Sequence, residues 1–90
     1  MDRREILQEA ERIICGDRQD DYGSASASFD RIAELWRAYL GVDVEAMDVA
    51  NMMILLKVSR SITAPDKADT WLDICGYSAL AGEMLANGSE

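Results

Sequence analysis

"VANMMILLKV", Val49 to Val58, carries eight apolar residues in ten. Read as a helix it is apolar on every side, and a helix of that kind belongs at the centre of a fold. Its few polar neighbours are not scattered. Asp48, Asn51 and Ser59 share one narrow stripe with Leu55 between them, while Lys57 and Arg60 point elsewhere. The stretch therefore predicts a central helix, over 44–61, with Asp43 as its cap.

Working outward, the segments on both sides are also helical. Ile6, Leu7, Ala10, Ile13 and Ile14 recur at helical spacing. Asp2 caps that helix, and Gly16 is expected to end it in a left-handed conformation, which places it over 3–15. Phe29, Ile32, Ala33, Trp36, Tyr39 and Leu40 make a second stripe over 27–40, with Ser26 or Ser28 as N-cap and Gly41 as the stop. Its other face, Asp30, Arg31, Glu34 and Arg37, reads as solvated surface. "TAPD" breaks the chain after the apolar helix. Asp66 and Asp69 then open a last helix over 66–86 as an aspartate version of the capping box, and 87–90 is expected to fray. The fold class is thus all-α, a single-domain bundle of four helices.

The last helix is apolar or acidic on two faces. Trp71, Ile74, Cys75, Ser78, Ala79, Gly82 and Leu85 cover one. Asp66, Asp69, Asp73, Gly76, Tyr77, Leu80 and Met84 cover the other. A central position in the monomer or a subunit interface would bury such a helix. Ninety residues bury a modest core, so a homodimer or higher homo-oligomer is expected. Met47, Met52, Met53 and Met84 are expected as core or interface filler, and Trp36 and Trp71 as core anchors.

Composition excludes several classes of function. The net charge is −8, which argues against nucleic-acid backbone or anionic membrane as partner. There is no histidine, so Ser-His-Asp triads and histidine general bases are out, and zinc is disfavoured. Cys15 and Cys75 lie far apart and are expected as small buried apolar residues in a reducing compartment. Met1 to Glu5 leads into an amphipathic helix and not an apolar segment, so no signal peptide is expected. No apolar run reaches the length of a membrane span.

Chemistry-bearing residues gather at three places. Asp69 and Asp73 are one turn apart, and with Asp48 across the bundle they form a candidate Mg²⁺ set. The alternative makes Asp66 and Asp69 helix-start acids and Asp73 the partner of a neighbouring Lys, Arg, Trp or Tyr. Lys57 and Arg60 are candidates for phosphate recognition, or ion-pair partners of Asp73, Asp69 or the acidic loop. That loop, "GDRQDDYGSA" from Gly16 to Ala25, is longer than a helix connection needs. In it Tyr22 offers a platform for a base, Asp21 a cap or ligand, and Gly23 a close backbone approach. The expected pocket joins Asp21, Tyr22 and Gly23 with Asn51, Lys57, Arg60 and Tyr77.

In this order "GDRQDDYG", "FDRIAELWRAYLG", "DVANMMILLKVSR" and "PDKADTWLDICGYSALA" resemble, over residues 4–86, a family of small all-helical phage and prophage proteins of unknown function. The resemblance implies the cytoplasm of a bacterial host. More distantly the chain resembles MazG-like all-α nucleotide pyrophosphohydrolases, oligomeric bundles whose EExxE and ExxD helices bind Mg²⁺. Asp73 in "TWLD" matches the aspartate of ExxD, and Thr70 replaces its glutamate. EExxE is absent, "DVAN" from Asp48 to Asn51 being the nearest substitute. Three readings stay open. The first is a nucleotide-binding protein, with or without Mg²⁺-dependent hydrolysis. The second is a non-catalytic phage accessory protein that sequesters a nucleotide signal or binds a host protein. The third is a structural helical oligomer.

Overall fold

The computed structural model describes residues 1–16 and 25–88. Among them lie four helices and no strand: α1 (Arg3–Cys15), α2 (Ala25–Leu40), α3 (Ala46–Thr63) and α4 (Ala68–Gly88). The all-α reading holds. The helix ends show which local signals decided them.

At α1 the Asp2 carboxylate accepts the Glu5 N–H, and the Glu5 carboxylate accepts the Asp2 N–H, both at 2.9 Å. This reciprocal box satisfies two amides that the helix itself leaves open. The C-terminus departs from expectation. Gly16 has φ −109° and is not left-handed. Glycine is needed there for a different reason: a Cβ would lie 2.6 Å from the Arg12 carbonyl oxygen. The left-handed stop occurs at Gly41 instead, at φ 73°, where its N–H closes on the Arg37 carbonyl at 2.8 Å and ends α2. The Arg37 guanidinium donates to the Val44 carbonyl and fixes the chain beyond the turn. Ser26 and Ser28 lie inside α2, which begins at Ala25, and not at its cap.

Helix α3 starts at Ala46, two residues later than its sequence suggests. Val44 is buried in the core, and the helix begins only after it, with Glu45 still extended at φ −114° and ψ 167°. Asp48, not Asp43, serves the cap, accepting the Glu45 N–H at 2.9 Å. At the far end the helix continues to Thr63. Ala64 to Lys67 make the turn, the Lys67 N–H reaching toward the Ala64 carbonyl at 3.4 Å. Asp66 sits in that turn, outside α4, and α4 runs on to Gly88.

The larger correction concerns which helix is central. Helix α4 packs against all three others, most extensively against α3. Among the described residues α1 packs on α4 alone. The core joins Phe29 and Ala33 of α2, Val44 from the segment before α3, Val49 and Ala50 of α3, and Met84 of α4, with Trp36, Met47, Met53 and Tyr77 around it. Only one side of α3 is used. Met52, Leu55, Val58 and Ile62 remain exposed on the other, and Leu56 is exposed at the edge of the packed side. In α4 the face with Gly76 and Met84 is buried, with Asp73, Tyr77 and Leu80 partly so, while Trp71, Ser78, Gly82 and Leu85 face outward. Trp71 and Met52 are therefore not core residues. Cys15 is exposed and Cys75 half-buried, both as free thiols. No described helix is long and apolar enough to cross a membrane.

Candidate functional site

Three features of the fold hold polar chemistry against apolar surface: an ion pair between α3 and α4, a small cavity under α1, and an open groove beside α2.

The ion pair joins Lys57 Nζ to Asp73 Oδ2 at 2.9 Å. Lys57 lies one and two turns beyond Met53 and Ala50, so the buried stripe of α3 turns it toward α4. The two side chains are only 16% and 25% exposed. Of the partners weighed for these residues, the structure realises the cation–carboxylate pairing. Both charges are compensated by each other, which leaves neither as an open phosphate or metal ligand.

One turn after Asp73, the Tyr77 ring stands 6.3 Å from that of Phe29 and tilted to it by 33°. This aromatic contact ties α2 to α4. Asp73 and Tyr77 also line a cavity of about 20 Å³ with Ala10, Ile14, Gly76 and Leu80. That volume is of the order of one water and too small for a nucleotide.

The remaining candidates are dispersed. Asp48 caps α3, about 13 Å along the helix axis from Lys57 at 1.5 Å per residue. Asn51 and Arg60 are exposed, and Asp69 is exposed at the start of α4. Asp21, Tyr22 and Gly23 lie outside the described residues. Among the described residues no three Asp, Glu or Cys side chains converge to hold a metal ion. The set Asp48, Asp69 and Asp73 thus does not fit Mg²⁺ as placed. Thr70 sharpens the point. It occupies the position of the ExxD glutamate and is 5% exposed. A carboxylate there would carry the cost of burying a charge.

The groove was not singled out by sequence reasoning. It encloses about 530 Å³ between α2, the start of α3 and the end of α4. Asp30, Glu34 and Glu45 stand on it, with Ala46, Met47, Met84 and Leu85 supplying apolar surface. The cation among its lining residues, Arg37, is held to the Val44 carbonyl. On α2 alone Asp30 and Glu34 are ordinary surface acids. Only the approach of Glu45 and Met84 from other elements makes a groove of them.

With this geometry in view, the comparisons with known proteins place the chain. The model of a family described as a domain of unknown function, DUF6378, matches residues 5–85. The chain belongs to this family. The DUF6378 match covers all four helices almost in full, and it numerically includes every candidate residue from Asp21 to Tyr77. The Gene 55 protein of Mycobacterium phage L5 is 48% identical over 80 residues, which is 88% of this chain and 51% of that protein. The Gene 55 protein of Mycobacterium phage D29 is 40% identical over 73 residues, 81% of this chain and 48% of the relative. The chain therefore spans about half the length of these curated relatives. These relatives are phage proteins, in keeping with the resemblance noted in the sequence, and neither the family's description nor the relatives' names state an activity. No solved structure matches.

Proposed function

We propose that this protein is a non-catalytic, phage-type accessory protein that binds a basic amphipathic segment of a partner protein. The groove carries this reading. Its volume of about 530 Å³ falls in the range of ligand-binding clefts. Its apolar surface, from Met47 and Met84, suits aliphatic side chains, and methionine adapts readily to different shapes. Its acids, Asp30, Glu34 and Glu45, suit lysine or arginine. The net charge of −8 draws a cationic partner toward the chain and speeds its encounter.

The test uses a fluorescent, helix-forming Lys/Leu peptide titrated into the purified protein and followed by anisotropy. Micromolar binding is expected, weakening as salt rises. Glu34→Lys and Asp30→Lys should each weaken it by about tenfold, the effect of one lost close charge contact. A peptide that does not bind, or binds equally well to both reversed variants, rules the reading out.

A second reading keeps one observation in its favour. Lys57, Asp73 and Tyr77 set a cation, an acid and an aromatic ring on neighbouring positions across α3 and α4. A nucleotide or related phosphate ligand, with MazG-like turnover or without it, would use them if the ion pair opened. A thermal-shift screen with nucleoside triphosphates, with and without Mg²⁺, tests this. A ligand at about 100 times its Kd adds roughly 2.7 kcal/mol, and a flat screen removes the reading.

A further inference from the structure

The outward side of α3 leaves apolar surface open among the described residues. Met52 is 42% exposed, Leu55 64%, Leu56 49%, Val58 41% and Ile62 77%. All five come from one helix, and Met52, Leu55, Val58 and Ile62 turn away from its buried Val49 and Ala50, while Leu56 lies two turns beyond Val49 at the edge of the packed side. Scattered exposed apolar residues are normal on a monomer, but a continuous patch of this kind marks an interaction surface.

The spacing says what kind of surface it is. Asp48, Met52, Leu55, Ser59 and Ile62 follow one another at intervals of four, three, four and three. That is the seam of a two-helix coiled coil, with Leu56 and Val58 on its flanks. Such a seam is satisfied by another helix laid along it.

Charge then selects the occupant. The chain carries 17 acidic residues, so two copies repel across most of their surfaces. From Asn51 to Thr63 α3 has no acid at all. This is the face through which a like-charged copy can approach, and depletion of charge is what distinguishes the core of an interface. The ends of the seam are equidistant from its middle, Asp48 and Ile62 each standing seven residues from Leu55. An antiparallel copy centred on Leu55 sets Arg60 about 3 Å, measured along the axis at 1.5 Å per residue, from the level of the partner's Asp48. Arg60 is exposed in the monomer, and the guanidinium is long enough to close that gap. The two-fold repeats the pairing at the other end, as an isologous contact requires.

We infer that the protein forms a homodimer through the outward face of α3, antiparallel and centred on Leu55. The inference uses none of the groove residues, so it stands or falls independently of the proposed partner binding.

Sedimentation equilibrium from about 1 to 200 μM, the range that suits an interface of modest size, measures the state directly. Twice the monomer mass is expected at the upper concentrations. Leu55→Glu places two carboxylates face to face on the two-fold and should raise the dissociation constant by on the order of 100-fold or more. Leu55 is exposed, so the variant should keep its helical circular dichroism, which separates loss of the dimer from loss of the fold. In a Cys15→Ser/Cys75→Ser background, Leu55→Cys should cross-link to its own copy on oxidation. Leu7→Cys, at a comparably exposed position on α1, should not. A monomer throughout the range, a dimer indifferent to Leu55→Glu, or cross-linking of the Leu7→Cys variant in preference to Leu55→Cys overturns the inference.

Discussion

Removing one member of the Lys57–Asp73 pair should destabilise the protein well beyond the level of a surface ion pair. Exposed pairs contribute about 0.2–1 kcal/mol. Breaking a fully buried pair costs about 3–5 kcal/mol, because the surviving charge is left without a partner or water. Here the side chains are 16% and 25% exposed at a contact of 2.9 Å, so the expected loss lies between these limits. We expect about 2–3 kcal/mol for Lys57→Met, which keeps the stem and removes the charge, and about the same for Asp73→Leu. In a domain of this size that corresponds to a fall in Tm of roughly 10–20 °C. The double variant should recover most of the loss, since two apolar side chains facing each other strand no charge. Urea unfolding of the four proteins at one fixed concentration gives the coupling energy from the cycle. High salt should alter the wild type little, because a pair shielded from water is weakly screened. The reasoning fails if each single variant lies within about 0.5 kcal/mol of wild type and the double is merely additive. That result would mean the pair is solvated and does not clamp α3 to α4.

Other expectations follow from the same geometry. Gly76 admits α1 so closely that a Cβ there would already stand 3.1 Å from Ile14 Cγ2. Gly76→Leu should therefore displace α1 from its described contact with α4, costing about 2 kcal/mol or more, and amide exchange should show α1 losing protection while α3 keeps it. Gly41→Ala places a Cβ at φ 73°, at a cost of about 1 kcal/mol in a thermal melt, whereas no loss would show that the turn relaxes. The Arg12 hydrogen bonds hold the Glu9 carboxyl below its ordinary value of 4.5. A depressed folded value stabilises the helix above the unfolded value and loses that effect as pH falls through the folded one. An NMR titration should find Glu9 titrating lower than in Arg12→Gln, and an unchanged midpoint contradicts the assignment.

The fold class was legible in the sequence because helix periodicity and caps are local. The Asp2–Glu5 box and the stop at Gly41 appear where residue type and spacing place them. Local reasoning failed where a distant partner overrode a local signal. Val44 is drawn into the core, which delays α3 and passes the cap from Asp43 to Asp48. The candidate site was legible only as pairings. Lys57 with Asp73 was among the partners the sequence allowed, but Arg60 or Asp69 was equally open to each of them.

Sequence alone determined four helices, a chain without histidine and a strongly acidic surface. Tertiary structure decided which helix is central. Periodicity shows which residues share a face, and a helix apolar all round, such as α3, has no periodicity to give it a direction. Its orientation is set by Val49 and Ala50 against α2 and α4 and by Lys57 against Asp73. That choice leaves Leu55 facing outward. The groove is likewise a product of assembly: Asp30 and Glu34 from α2, Glu45 before α3 and Met84 from α4 meet only because packing brings three distant segments to one surface.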